Sequence, residues 1–205
     1  MTALAIGSGL RRRPLLALAL FLVAATLGGC GVNTIPTLDE QAKAAWSQVL
    51  NQYQRRADLV PNLVETVRAY AAHEKDTLTA VTEARAKVAQ MQVPADILTN
   101  PEAFKAFQQN QAALTQTLSR LLAVSERYPD LKANQNFLSL QSQLEGTENR
   151  IAVARRDYIE AVRAYNTEIR TFPGQIWAMI RGSKPMAEFT ANEDAQRPPQ
   201  VKFGK

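Results

Sequence analysis

From Val32 to Glu145 the chain contains no glycine, and this absence limits its fold more than any other feature. Sheets joined by tight turns need frequent turn residues, whereas long helices need few. The prolines of that stretch, at 36, 61, 94, 101 and 129, stand far apart, and apolar residues recur between them in alternating steps of four and three. Trp46, Leu50, Tyr53, Ala57, Val60, Val64, Val67 and Ala71 form one such series, and Leu78, Val81 and Val88 continue it in phase. A 3.5-residue repeat is the seam of a helix packed in a bundle or coiled coil.

The first helix is expected to open at Thr37-Leu38-Asp39-Glu40, with Thr37 capping and Glu40 reaching back, and to run to about Met91. Pro61 lies inside that seam and predicts a kink rather than a break. A second helix opens at Asn100-Pro101-Glu102, a capping residue followed by proline in the first turn, and carries Phe104, Phe107, Leu114, Leu118 and Leu121. The third starts near Asn134 and is expected to reach Phe172, along Phe137, Leu144, Ile151, Tyr158, Val162, Tyr165, Ile169 and Phe172. Short connections make neighbours antiparallel, so the expected fold is an all-α, up-down-up bundle of three long helices. Ile176 to Ile180 adds a short fourth helix, and Phe172 to Trp177 is either an exposed hydrophobic hook or a cap on the bundle end.

The N-terminus carries a targeting signal. Arg11, Arg12 and Arg13 precede an apolar run from Pro14 to Leu27, followed by Gly28, Gly29 and Cys30. A basic region, a short apolar region and small residues describe a secretory signal peptide. The run falls short of the roughly 18 apolar residues that cross a bilayer as a helix. Leu27-Gly28-Gly29-Cys30 resembles the lipobox of bacterial lipoproteins, with cleavage between Gly29 and Cys30 and a lipid such as palmitate on Cys30. The alternative is an uncleaved signal anchor. Either way the positive-inside bias leaves the arginines in the cytoplasm and the body outside. The expected organisation is a signal peptide over 1–29, a lipidated tether over 30–36, a helical bundle over 37–190 and an extended tail over 191–205.

Charge and cysteine content narrow the chemistry. The net charge of +5 falls to +2 once residues 1–29 leave with their three arginines, so the basic balance does not point to nucleic acid. Cys30 is the sole cysteine, which excludes an internal disulfide. His73 is the sole histidine, expected on a helix surface, and Tyr70 stands where a Glu-x-x-His pair would need its glutamate. No catalytic residue, metal site or cofactor is therefore expected.

Polar residues at seam positions are the oddity: Glu74 and Arg85 in the first helix, Gln111 in the second, and Gln141, Glu148 and Arg155 in the third. Buried charge is costly unless paired, so Glu74, Arg85, Glu148 and Arg155 are expected to form an internal polar band that fixes register. The alternative is a groove that binds a peptide or small ligand.

Several segments carry a family resemblance: Arg56 to Val67, Tyr70 to Glu74, Glu83-Ala84-Arg85, Glu126 to Leu131, Asn136-Phe137, Thr147 to Ile151, Arg155 to Tyr158 and Tyr165-Asn166. Together they resemble the LemA family of bacterial membrane-associated proteins. The resemblance implies a bundle of four-helix type held at a membrane by its N-terminus, with no catalytic activity to carry over. Two departures are the lipobox in place of an N-terminal transmembrane helix, and Asp157-Tyr158 where relatives tend to have an aromatic-Tyr-Asn run.

The expected function is a non-catalytic, membrane-tethered scaffold or interaction protein on the extracytoplasmic side of the cell envelope. The alternative is a ligand- or peptide-binding bundle that uses the Glu/Arg band, as an accessory to a membrane protease. A first helix of about 55 residues would project roughly 80 Å from the membrane. Neither of the other helices would then reach Trp46, Leu50 and Tyr53, so this seam is expected to seat a second copy or an envelope partner.

Overall fold

The apolar series builds two helices where its spacing predicts one. In the computed structural model, which describes residues 32–190, helix α1 spans Thr34–Tyr70 and α2 spans Lys75–Gln90. Between them the four residues Ala71-Ala72-His73-Glu74 reverse the chain. The turn is held locally: the Ala71 N–H donates to the Val67 carbonyl at 2.8 Å and the Glu74 N–H to the Ala71 carbonyl at 3.0 Å. A Glu74 carboxylate oxygen, Oε2, accepts from Arg127 at 3.0 Å, and Oε1 accepts from the Tyr128 hydroxyl at 3.1 Å. His73 therefore sits exposed in a turn and not on a helix surface.

After a 3-10 turn at Ile97–Thr99, α3 spans Pro101–Val124. The Asn100 side chain accepts from the Ala103 N–H, so this capping signal forms as the sequence predicts. A second 3-10 turn at Ser125–Arg127 and the short α4, Pro129–Lys132, lead into α5, Gln135–Glu168. Asn134 caps α5 by accepting from the Phe137 N–H at 3.0 Å. Helix α6, Gly174–Arg181, closes the order, and an extended segment follows to Thr190. At the start of α1, the Thr37 hydroxyl donates to the Asn33 carbonyl at 2.8 Å, so the expected capping box is replaced by a helix that begins three residues earlier. Phe172 lies beyond the end of α5 and is 81% exposed, which ends the third seam at Ile169.

The contacts fix the directions. Arg56 of α1 meets Gln111 of α3, and Trp46 meets Phe104 and Phe107, so α1 and α3 run parallel. Glu148 of α5 meets Arg56, and Tyr158, further along, meets Trp46 further back, so α5 runs antiparallel to α1. With α2 folded back beside α1, the order is up-down-up-down. The expected three-helix rod is replaced by a four-helix arrangement, and the 37 residues of α1 span about 55 Å.

This reversal also removes the expected interaction seam. Because α2 returns along α1, Met91 and the start of α3 both come back beside Trp46. Trp46 is 5% exposed, with its ring 5.1–6.1 Å from those of Phe104, Phe107, Tyr158 and Phe189. Tyr53 is buried and Leu50 packs on the same cluster. Part of the cover comes from the segment after α6. Asn166 accepts from the Met186 N–H and donates to the Met186 carbonyl, both at 2.9 Å, while the Tyr158 hydroxyl donates to the Ala187 carbonyl at 2.7 Å. The Ala187 N–H reaches the Leu98 carbonyl at 2.7 Å. Met186 and Phe189 are thereby pressed into the core.

Helix α1 passes through Pro61 unbroken. Proline has no N–H, so the Ala57 carbonyl one turn earlier has no helical donor. Arg85, on the returning α2, supplies one: its Nε lies 3.3 Å from that carbonyl oxygen. We expect Arg85→Met to cost about 1 kcal/mol in the native background, the usual worth of a partly buried hydrogen bond. In a Pro61→Ala background the restored N–H takes the carbonyl, and the same change should cost almost nothing. Urea unfolding of the four proteins of this cycle measures the coupling. Equal costs in both backgrounds would show that Arg85 does not serve Pro61.

Candidate functional site

The core face of α1 follows Ala42, Trp46, Val49, Tyr53, Arg56, Val60, Leu63 and Val67 in unbroken steps of four and three, and every member is buried. One member is an arginine. Arg56, 1% exposed, takes a place that the phase assigns to an apolar side chain. Its Nη1 donates to the Thr115 hydroxyl at 2.7 Å and to Glu148 Oε1 at 3.0 Å. Its Nη2 donates to the Gln111 side-chain oxygen at 2.6 Å and to the Gln111 carbonyl at 3.2 Å. The Arg56 Nε is buried with no hydrogen-bond partner among the described residues.

This cation divides the core in two. Toward the start of α1, one apolar cluster gathers Ile35, Trp46, Tyr53, Phe104, Phe107, Ile151 and Tyr158, among others. Toward its end, a second gathers Val60, Leu63, Val67, Val81, Leu114, Leu121 and Phe137. Arg56, Gln111 and Thr147, all buried, belong to neither. A polar layer of this kind penalises any sliding of α1, α3 and α5 against one another, because a slip strands the guanidinium among apolar groups.

The expected polar band is therefore only partly assembled. Glu148 joins Arg56, and Arg155 lies one further stretch along α5. Glu74 holds the α1–α2 turn at the far end, and Arg85 serves the Ala57 carbonyl, so neither meets the other two. Gln141 pairs with Glu145 on the surface of α5. Cys30 lies outside the described residues. Arg56, the residue that holds the layer, was absent from the apolar series built on Leu50, Ala57 and Val64. The parallel series through Val49, Arg56 and Leu63 carried the signal.

Over Arg56 opens a cleft of about 670 Å³ between α3 and α5. Tyr53 and Arg56 line it from α1, Gln108, Gln111 and Gln116 from α3, and Glu148 and Arg155 from α5. Phe189 and Thr190 close one end. The Arg155 guanidinium lies 4.4 Å from the centre of the Phe189 ring, a cation–π contact, and no carboxylate lies within 4.0 Å of it among the described residues. Burial pushes the Tyr53 phenol up from its ordinary pKa, opposed by the neighbouring Arg155 and Arg56 charges. The cleft thus presents at its floor one cation whose Nη atoms are hydrogen-bonded and whose Nε is not, one cation without an acidic partner on its wall, the Glu148 carboxylate, and glutamine amides along α3. Such a surface can bind and orient an anionic group. Among the described residues, no group of three His, Cys, Asp or Glu side chains could hold a metal ion.

The two arginines should separate in stability. Arg56→Ala strands Gln111 and leaves a void in the layer, and it should cost about 3 kcal/mol, the lower end for breaking a buried pair because Glu148 keeps contact with water. Arg155→Ala removes a half-buried side chain and should cost under about 1 kcal/mol. The same urea measurement decides, and a larger loss for Arg155 would contradict the assignment of the register role to Arg56.

The LemA family profile matches residues 45–203. Two magnetosome proteins of Paramagnetospirillum magneticum, MamQ 1 and MamQ 2, are each 28% identical over 185 residues, 82% of this chain and 68% of theirs. The MamQ protein of Magnetospirillum gryphiswaldense is 27% identical over 173 residues, 77% of this chain and 64% of its own. The protein LemA of Metamycoplasma hominis is 27% identical over 119 residues, 58% and 50% of the two chains. The chain belongs to the LemA family.

Proposed function

We propose that this protein is a non-catalytic interaction protein of the bacterial cell envelope, tethered to a membrane by its N-terminus. The observation that carries the reading is the junction between leader and bundle. Helix α1 begins at Thr34, so only Gly31, Val32 and Asn33 stand between Cys30 and the folded body. Membership of the LemA family and the kinship to MamQ proteins support membrane association. None of the helices among the described residues is long and apolar enough to cross a membrane. The buried cation is spent on packing three helices, which supports a structural use of the polar layer over a catalytic one.

Metabolic labelling with a palmitate analogue, followed by fractionation, tests the tether. The native protein should carry label in the membrane fraction, and Cys30→Ser should lose the label and keep its precursor mass. Equal labelling of the variant, or a mature N-terminus elsewhere, would overturn the lipid.

The expected docking of a partner on Trp46, Leu50 and Tyr53 is not retained, since the chain covers that seam itself. A second reading is favoured by Arg155, which faces the cleft without an acidic partner: the cleft binds a short peptide through a carboxylate. Calorimetric titration with acetyl-Ala-Glu-Asp-Ala-amide and with its Gln/Asn counterpart tests it. The acidic peptide alone should bind, and Arg155→Gln should weaken it about tenfold, the effect of a single charge-assisted contact. Indifference to the carboxylates, or to Arg155, would sink this reading.

A further inference from the structure

Among the described residues, four of the eight large exposed apolar side chains stand apart from one another: Tyr70, Val93, and, fifteen residues apart on α5, Leu138 and Val153. Scattered residues of this kind are ordinary on a soluble surface. Four others are gathered. Phe172 is 81% exposed, Ile176 50%, Met179 78% and Ile180 69%. Ile176, Met179 and Ile180 follow at steps of three and one and share a face of α6, with Phe172 one turn before it.

The opposite face of α6 is fixed to the body. Ala178 is buried, and Trp177 packs against the first apolar cluster. Gly174 lies so close to the Glu168 carbonyl that no side chain would fit there. Gly182, at φ +67°, takes the left-handed conformation that ends the helix, and the Ser183 N–H returns to the Ala178 carbonyl at 2.9 Å. The apolar face is thus held outward by a docked helix.

Its position is informative. The Arg181 guanidinium reaches the Val32 carbonyl at 3.5 Å, and Val32 is two residues from Cys30, about 7 Å of extended chain. Between Ile169 and Ala187 the sequence carries Arg170, Arg181 and Lys184 and no acidic residue. All three cations are exposed. An apolar face flanked along the sequence by exposed cations, with the Glu168 carboxylate packed against Gly174 at the start of α6, lies beside the point where the chain meets its proposed tether and matches the chemistry of an anionic bilayer surface. A second copy of the chain would set the same cations against one another.

The geometry points to α6 as a membrane-interface helix that inserts Phe172, Ile176, Met179 and Ile180 among lipid headgroups. This rests on the N-terminal tether. The body then lies against the bilayer at two points, the tether and α6, instead of projecting freely from one.

Spin labels test the contact on full-length protein reconstituted in vesicles of equimolar phosphatidylcholine and phosphatidylglycerol. The label is placed at Met179→Cys, with Leu138→Cys on α5 as the control. Accessibility to oxygen should exceed accessibility to a nickel chelate at 179, and the order should reverse at 138. Flotation of unlabelled protein on the same vesicles reports the tether separately. Floating protein whose label at 179 is as open to nickel as that at 138 overturns the interface helix, leaves the tether standing, and makes this face a site for a protein partner. Protein that fails to float overturns both.

Discussion

A guanidinium with almost no contact to water sits at the middle of this bundle, and the arrangement of the helices around it follows from what it needs. Burying a charge is costly unless partners surround it. Arg56 obtains them from α3, through Gln111 and Thr115, and from α5, through Glu148. Those side chains stand in one layer only when the three helices are in a single register. The apolar clusters on either side contribute burial that would tolerate other alignments, since Val, Leu and Phe in adjacent layers interchange at modest cost. The cation supplies the discrimination.

The same layer explains why the cleft lies where it does. A helix pair packed entirely through apolar side chains closes along its length, but Arg56 and its partners hold α3 and α5 apart by polar contacts. The opening is lined by Gln108, Gln116 and Arg155 as well as by the layer itself. Phe189, at its end, belongs both to the aromatic cluster around Trp46 and to the cation–π contact with Arg155. The segment after α6 therefore links the core beneath the cleft to its rim.

Much of this was legible in the sequence, and the residues show why the rest was not. The apolar stripe of α3, the capping at Asn100, the start of α5 near Asn134 and the short α6 each rest on local signals, periodicity or a capping side chain, and each forms as expected. The turn at Ala71–Glu74 has no such signal. It contains neither glycine nor proline, and it is held by Arg127 and Tyr128, more than fifty residues later. Without that reversal a continuous first helix carries α3 away from Trp46 and leaves its ring uncovered. The polar band was half legible, because Glu148 and Arg155 occupy a regular phase, while Arg56 lies on a parallel phase that apolar counting passes over. Pro61 signals a kink in the sequence, and α1 runs through it unbroken. The arginine that compensates it comes from a helix whose direction the sequence does not disclose.

The central claim is that Arg56 is a locked, desolvated cation shared by three helices. Side-chain NMR of protein labelled with ¹⁵N-arginine tests it most directly. The account predicts separate Nη resonances for Arg56, with slow rotation and slow hydrogen exchange, persisting under conditions that average and exchange the signals of the exposed Arg150. An Arg56 guanidinium that rotates and exchanges as fast as that of Arg150 would contradict it, and with it the register role of the polar layer.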